Sequence, residues 1–222
     1  MLLTTLALCH KVDLMESNWA AEHLQVIRTL MERSAVYRRA LAPIMIFNGV
    51  VGAVGGISGS LLKINTASGF IGFWAGVGVL ALGGSFLLVR RQALKESEPF
   101  WSPPTRRVAQ ALLPPLFIGS VAGLLGLVYP GWDFLPRWAL PAFWMLLYGC
   151  ALHSAGFFMH RGIKLLGWMF LLCGCALMAS RCITNDPLAL VEGYQAMGGV
   201  FGGLHLAYGI YLYFTEQSRN ET

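Results

Sequence analysis

The sequence predicts an all-α fold, a six-helix transmembrane bundle with N and C termini cytoplasmic and an N-terminal amphipathic interfacial helix. Three observations lead there. Apolar runs of about 20 residues, the length that crosses a hydrocarbon core, lie near 41–62, 68–89, 110–129, 138–159, 163–181 and 193–215, and no Asp, Glu, Lys or Arg stands in the middle of any of them. The 16 basic residues alternate between the gaps: all but Lys63, Arg137 and Arg181 precede the first run, lie between the second and third, lie between the fourth and fifth or in the fifth's first turn (Arg161, Lys164), or follow the sixth. Short loops rich in Lys and Arg stay in the cytoplasm. Composition agrees, since 56% hydrophobic residues, 12% charged residues and a mean hydropathy of +0.59 leave too little polar surface for a water-soluble domain.

Residues 1–40 form a cytoplasmic segment, 41–215 the six-span domain and 216–222 a cytoplasmic tail. The first 14 residues lack the basic n-region and the apolar length of a secretory signal, and Met15 offers a credible alternative start. Residues 17–40 read as a helix with Ser17 or Asn18 as N-cap. Ala20, Leu24, Ile27, Met31 and Ala35 recur at spacings of four and three and form one apolar stripe. Arg28, Arg33, Arg38 and Arg39 lie away from it, near lipid phosphates if the helix rests in the interface.

Pro43, Pro114, Pro115 and Pro141 are expected in the first turns of spans, where a missing amide costs little. Trp101, Tyr129 and Trp138 stand at span boundaries, suited to a ring that is half dry and half wet. The loop 91–109 is the longest between spans, and its Pro99, Pro103 and Pro104 argue for a solvated connector rather than one helix. Arg106 and Arg107 in it face the headgroups. The net charge of +5 therefore sits on cytoplasmic loops and points to anionic lipid, not to nucleic acid.

Small-xxx-small pairs occur at Gly52/Gly56, Gly55/Gly59, Gly72/Gly76, Gly119/Gly123, Gly198/Gly202 and Gly199/Gly203. Close backbone approach is how helices adhere in lipid, so these pairs predict a compact bundle. A faint echo at an offset of 71 (Pro43/Pro114, Gly52/Gly123, Gly55/Gly126, Gly78/Gly149, Arg90/Arg161) suggests a duplicated helical hairpin with a third hairpin appended.

Polar groups inside a bilayer are expensive, which makes them the first place to look for function. Asn48, Tyr148, His153, Gln195, His205 and Tyr208 are the pocket candidates. His153 and His205 fall at similar depth on two spans of the same direction, as a bis-imidazole b-type haem requires, each ring giving one nitrogen to iron. Tyr148, Tyr208 and Trp144 would then line the porphyrin. The plainer reading is two histidines hydrogen-bonded to carbonyls or open to water. Cys173 and Cys175 are two apart and point to different faces of a helix, so they form no metal-binding pair. Walker, H-E-x-x-H and G-x-S-x-G motifs and paired catalytic carboxylates are absent from the sequence. Ion-coupled carriers commonly keep a carboxylate in the membrane, and Glu192 at the outer end of the sixth run is the nearest.

The stretch from Ala21 to Pro43 (AEHLQVIRTLMERSAVYRRALAP) resembles the opening, and Gly202 to Tyr211 (GGLHLAYGIY) the end, of a group of bacterial polytopic inner-membrane proteins with no activity attached. The resemblance implies an inner-membrane location and a start near Met15. The expected function is that of a non-enzymatic integral membrane protein, either a small-solute carrier or a structural or regulatory subunit of a membrane complex or homo-oligomer, with no cofactor. The alternative is the electron-transferring haem protein with His153 and His205 as axial ligands.

Overall fold

The computed structural model describes residues 41–62, 64, 66–95, 101, 103–129, 139–159, 161–184 and 190–220. The helix expected over 17–40 and its arginines, together with Lys63 and Arg137, lie outside the described residues. Every regular element among the described residues is helical: α1 (Leu41–Leu61), α2 (Ala67–Lys95), α3 (Pro103–Val128), α4 (Leu140–Ala155), α5 (Arg161–Thr184), α6 (Leu190–Met197), a π-helical segment Gly198–Gly202 and α7 (Gly203–Asn220). α1, α2, α3 from Thr105 and α5 to Ile183 are each long and apolar enough to cross a membrane. A helix meets all its own backbone hydrogen bonds, which is why apolar runs of this length take no other form in lipid.

Two boundaries differ from the sequence reading. α2 continues to Lys95, and α3 begins at Pro103, so the connector expected over 91–109 contracts to the residues between them. Pro103 opens the helix because a proline there gives up only an amide that had no partner. In consequence Pro114 and Pro115 lie inside α3 and not in its first turn. Interior prolines cost about 3 kcal/mol in water, but spans tolerate them where neighbouring groups re-satisfy the freed carbonyls. Pro141 does fall at the start of α4.

α6, the π segment and α7 follow one another without a gap from Leu190 to Asn220. This long element runs antiparallel to α1 along a seam of glycine. A Cβ on Gly56 would stand 2.5 Å from Gly198 Cα, one on Gly198 2.6 Å from Gly56 Cα, one on Gly202 2.5 Å from Ala53 N, and one on Gly52 2.9 Å from Gly202 N. The seam continues with Gly49 against Leu206 and Gly209 against Ile46 at one end, and Gly59 beneath the Tyr194 ring at the other. Gly72, Gly76, Gly199 and Gly203 are different: no atom lies within 4 Å of a Cβ built on any of them.

α4 and α5 form a second close pair. Gly149 would meet Gly167 O at 2.9 Å, and Gly167 would meet His153 N at 2.7 Å. α3 packs on α4, where Trp144 Nε1 donates to Gly119 O at 3.0 Å. The buried core runs through these contacts, with Met145, Ala151 and Phe170 fully closed off from solvent. α1 is the most enclosed of the membrane-length helices, 44% of its most apolar window being buried against 6% for α3. α2 and α3 instead turn Val79, Leu80, Phe86, Leu87, Leu113, Phe117 and Leu124 outward. In water that surface would be an aggregation patch; against acyl chains it is at home.

Candidate functional site

Two helices and the continuous α6–π–α7 element bring four rings into mutual contact. α4 contributes Tyr148, α5 Phe170, the π segment Phe201 and α7 His205. Tyr148 lies 4.9 Å from Phe170, 5.2 Å from Phe201 and 5.5 Å from His205 between ring centroids, and Phe170 lies 4.9 Å from Phe201 and 5.3 Å from His205. Tilted and edge-on contacts of this kind favour the ring quadrupoles. His205 is 2% exposed.

The hydrogen bonds fix which histidine nitrogen carries the proton. His205 Nδ1 lies 2.7 Å from Phe201 O. A carbonyl only accepts, so Nδ1–H donates to it, and in the neutral ring Nε2 is left as an acceptor. Tyr148 Oη is 2.8 Å from Nε2 and donates its hydrogen there. The result is a directed pair, Tyr148 O–H to His205 Nε2 and His205 Nδ1–H to the π segment's backbone. Every polar atom of the pair is thereby met inside an aromatic shell, as burial of polar groups demands.

The remaining sequence candidates are dispersed. Asn48 Oδ1 accepts from Ser85 Oγ at 3.0 Å and ties α1 to α2. His153 lies against Phe157 and Trp168, each at 5.5 Å, and its Nδ1 is buried without a hydrogen-bond partner. Tyr208 packs over Gly162, its hydroxyl likewise buried and unmet. Gln195 is exposed on α6. Trp144 serves the α3–α4 contact. Arg106 and Arg107 are exposed on α3. At the far end of α5, Arg181 pairs with Glu192 of α6 at 3.2 Å.

The same geometry bears on the haem reading. A bis-imidazole haem needs a free nitrogen from each ring facing one iron. Both nitrogens of His205 are engaged within the protein, and none of the rings around it is shared with His153. In this arrangement Nε2 of His205 bonds to Tyr148, and His153 lies instead against Phe157 and Trp168.

No family model, curated protein or solved structure matches this chain.

Sequence reasoning named Tyr148 and His205 but not their enclosure. Phe170 and Phe201 carried no signal beyond apolarity. The π segment had one available sign, the doubled glycines of Gly198-Gly199 and Gly202-Gly203, because wide helical turns recur at functional sites and glycine admits them most easily. A second cluster went unseen: Tyr194 of α6 lies 4.8 Å from Phe70, 5.5 Å from Phe73 and 6.4 Å from Trp74, with Trp144 stacked on Phe70 at 6.4 Å.

Proposed function

We propose that the chain is a six-span protein of the bacterial inner membrane, with both termini cytoplasmic, that works without catalysis as a carrier of a small uncharged solute around the Tyr148–His205 pair. The observation that carries this reading is the pair itself. Polar groups inside a membrane domain are rare and mark pathways, and this one sits where three helices meet beside a π segment in a glycine-lined helix. Irregular helices lining a polar site are a recurrent device of carriers.

Six crossings are supported by the antiparallel contacts of α1 with the long sixth element and of α4 with α5. α4 itself has 16 residues, about 24 Å at 1.5 Å per residue, and the turns bonding Gly156 to Leu152 and Phe158 to Ala155 lengthen it. Reporter fusions after Lys63, Lys95, Arg137, Arg161 and Asn185 are expected to alternate outside, inside, outside, inside, outside. Two adjacent sites reporting one side would overturn the topology.

The second reading, a subunit of a larger membrane complex, is favoured by the wide apolar faces of α2 and α3. Purification in a mild detergent, followed by reconstitution and a swelling assay with acetamide or glycerol, separates the two. Flux through a protein that purifies alone supports the carrier. A stoichiometric partner with no flux supports the subunit, and a solitary inert protein defeats both.

A further inference from the structure

The second aromatic cluster contains two buried donors with nothing to donate to. Trp74 is 6% exposed and Tyr194 1%, yet among the described residues Trp74 Nε1 and Tyr194 Oη have no hydrogen-bond partner. The two rings are stacked, 6.4 Å apart at an interplanar angle of 27°. Tyr194 is held flat on Gly59, where any side chain would collide with it, so its position is set by the α1 seam and not by its hydroxyl. A buried polar hydrogen left unmet is disfavoured, and native proteins keep few of them without a use. Here two occur in one cluster, at the end of the bundle where α1 finishes and α2 and α6 begin.

We propose that this cluster is a binding site for an uncharged solute bearing a hydrogen-bond-accepting oxygen, such as an amide or alcohol, which Trp74 Nε1–H and Tyr194 O–H recognise. The chemistry excludes the charged alternatives. Indole N–H is a donor only, and two donor hydrogens are unwelcoming to a cation even among aromatic faces. Among the described residues, Arg181 near the start of α6 is already paired with Glu192 and so offers an anion no uncommitted charge there. An oxygen with two lone pairs can accept two hydrogens, while Phe70 and Phe73, each in ring contact with both Trp74 and Tyr194, supply apolar walls for the rest of a small molecule. On the carrier reading, on which the site's purpose rests, solute is admitted here before it reaches Tyr148 and His205.

The test uses the whole protein in lipid nanodiscs with 15N-labelled indoles, the Trp74 signal being assigned by its loss in Trp74→Phe. Acetamide is expected to shift the Trp74 Nε1–H resonance downfield and to saturate, whereas tetramethylammonium chloride leaves it in place. Tyr194→Phe keeps the ring on Gly59 and removes one hydrogen bond, and should weaken the apparent acetamide affinity about fivefold. An unshifted signal, a shift that rises without saturating, or one equally strong with tetramethylammonium would overturn the site and leave a trapped water as the donors' partner. If Tyr194→Phe does not fold, the two wild-type titrations still decide. A saturating titration without acetamide flux in the swelling assay retains the site and sinks the carrier; flux without a titration does the reverse.

Discussion

Gly198→Ala is expected to destabilise the protein by about 2–3 kcal/mol, near the upper end for overpacking, while Gly199→Ala, the next residue in the chain, leaves stability unchanged or slightly raised. The contrast follows from what each new methyl meets. At Gly198 it would lie 2.6 Å from the Cα of Gly56, backbone against backbone, so no side chain can turn aside and the helices must part. At Gly199 there is no atom within 4 Å, and alanine is the better helix former by about 1 kcal/mol. Gly56→Ala should match Gly198→Ala, and the two together should cost less than their sum because either one opens the same gap. Thermal unfolding in detergent micelles followed by circular dichroism measures all four variants. Equal behaviour of Gly198→Ala and Gly199→Ala would show that the seam is looser than its distances.

These glycines also mark how far the sequence could be read. The spacing of Gly52 and Gly56, or of Gly198 and Gly202, is visible in one dimension, but so is that of Gly72 and Gly76, and only the first four residues meet another backbone. Spacing says that a helix can be approached; the partner decides whether it is. The same limit dissolves the echo at an offset of 71, since Gly52 meets the backbone of Gly202 where Gly123 meets the Trp144 ring, and Gly78 is open where Gly149 is closed on Gly167. The all-helical fold was legible because hydropathy over 20 residues is a sum, insensitive to any one neighbour. The site was half legible: Tyr148 and His205 stand out as polar residues in apolar runs, but 57 residues separate them, and no local pattern pairs them in preference to His153 or Tyr208.

Removing either member of that pair is expected to have the largest functional effect of any substitution in the protein. Tyr148→Phe takes away the hydroxyl that donates to His205 Nε2 and leaves a buried acceptor unmet, a loss of about 1–3 kcal/mol. His205→Leu removes that acceptor from the Tyr148 hydroxyl, at a similar cost. The double variant replaces both partners by apolar groups inside a shell that is already aromatic, so it should be less destabilised than the two singles predict, with a coupling of about 1–2 kcal/mol in a double-mutant cycle. Transport should not recover with stability. On the carrier reading all three variants lose acetamide flux at least tenfold, including the double variant whose fold is restored, because the lost element is the polar centre and not the packing. The Trp74 titration, which depends on residues of α2 and α6, should be unchanged in each. Additive stability losses would mean that the 2.8 Å contact between Tyr148 and His205 contributes nothing of its own, and undiminished flux in the well-folded double variant would remove the pair from the transport path.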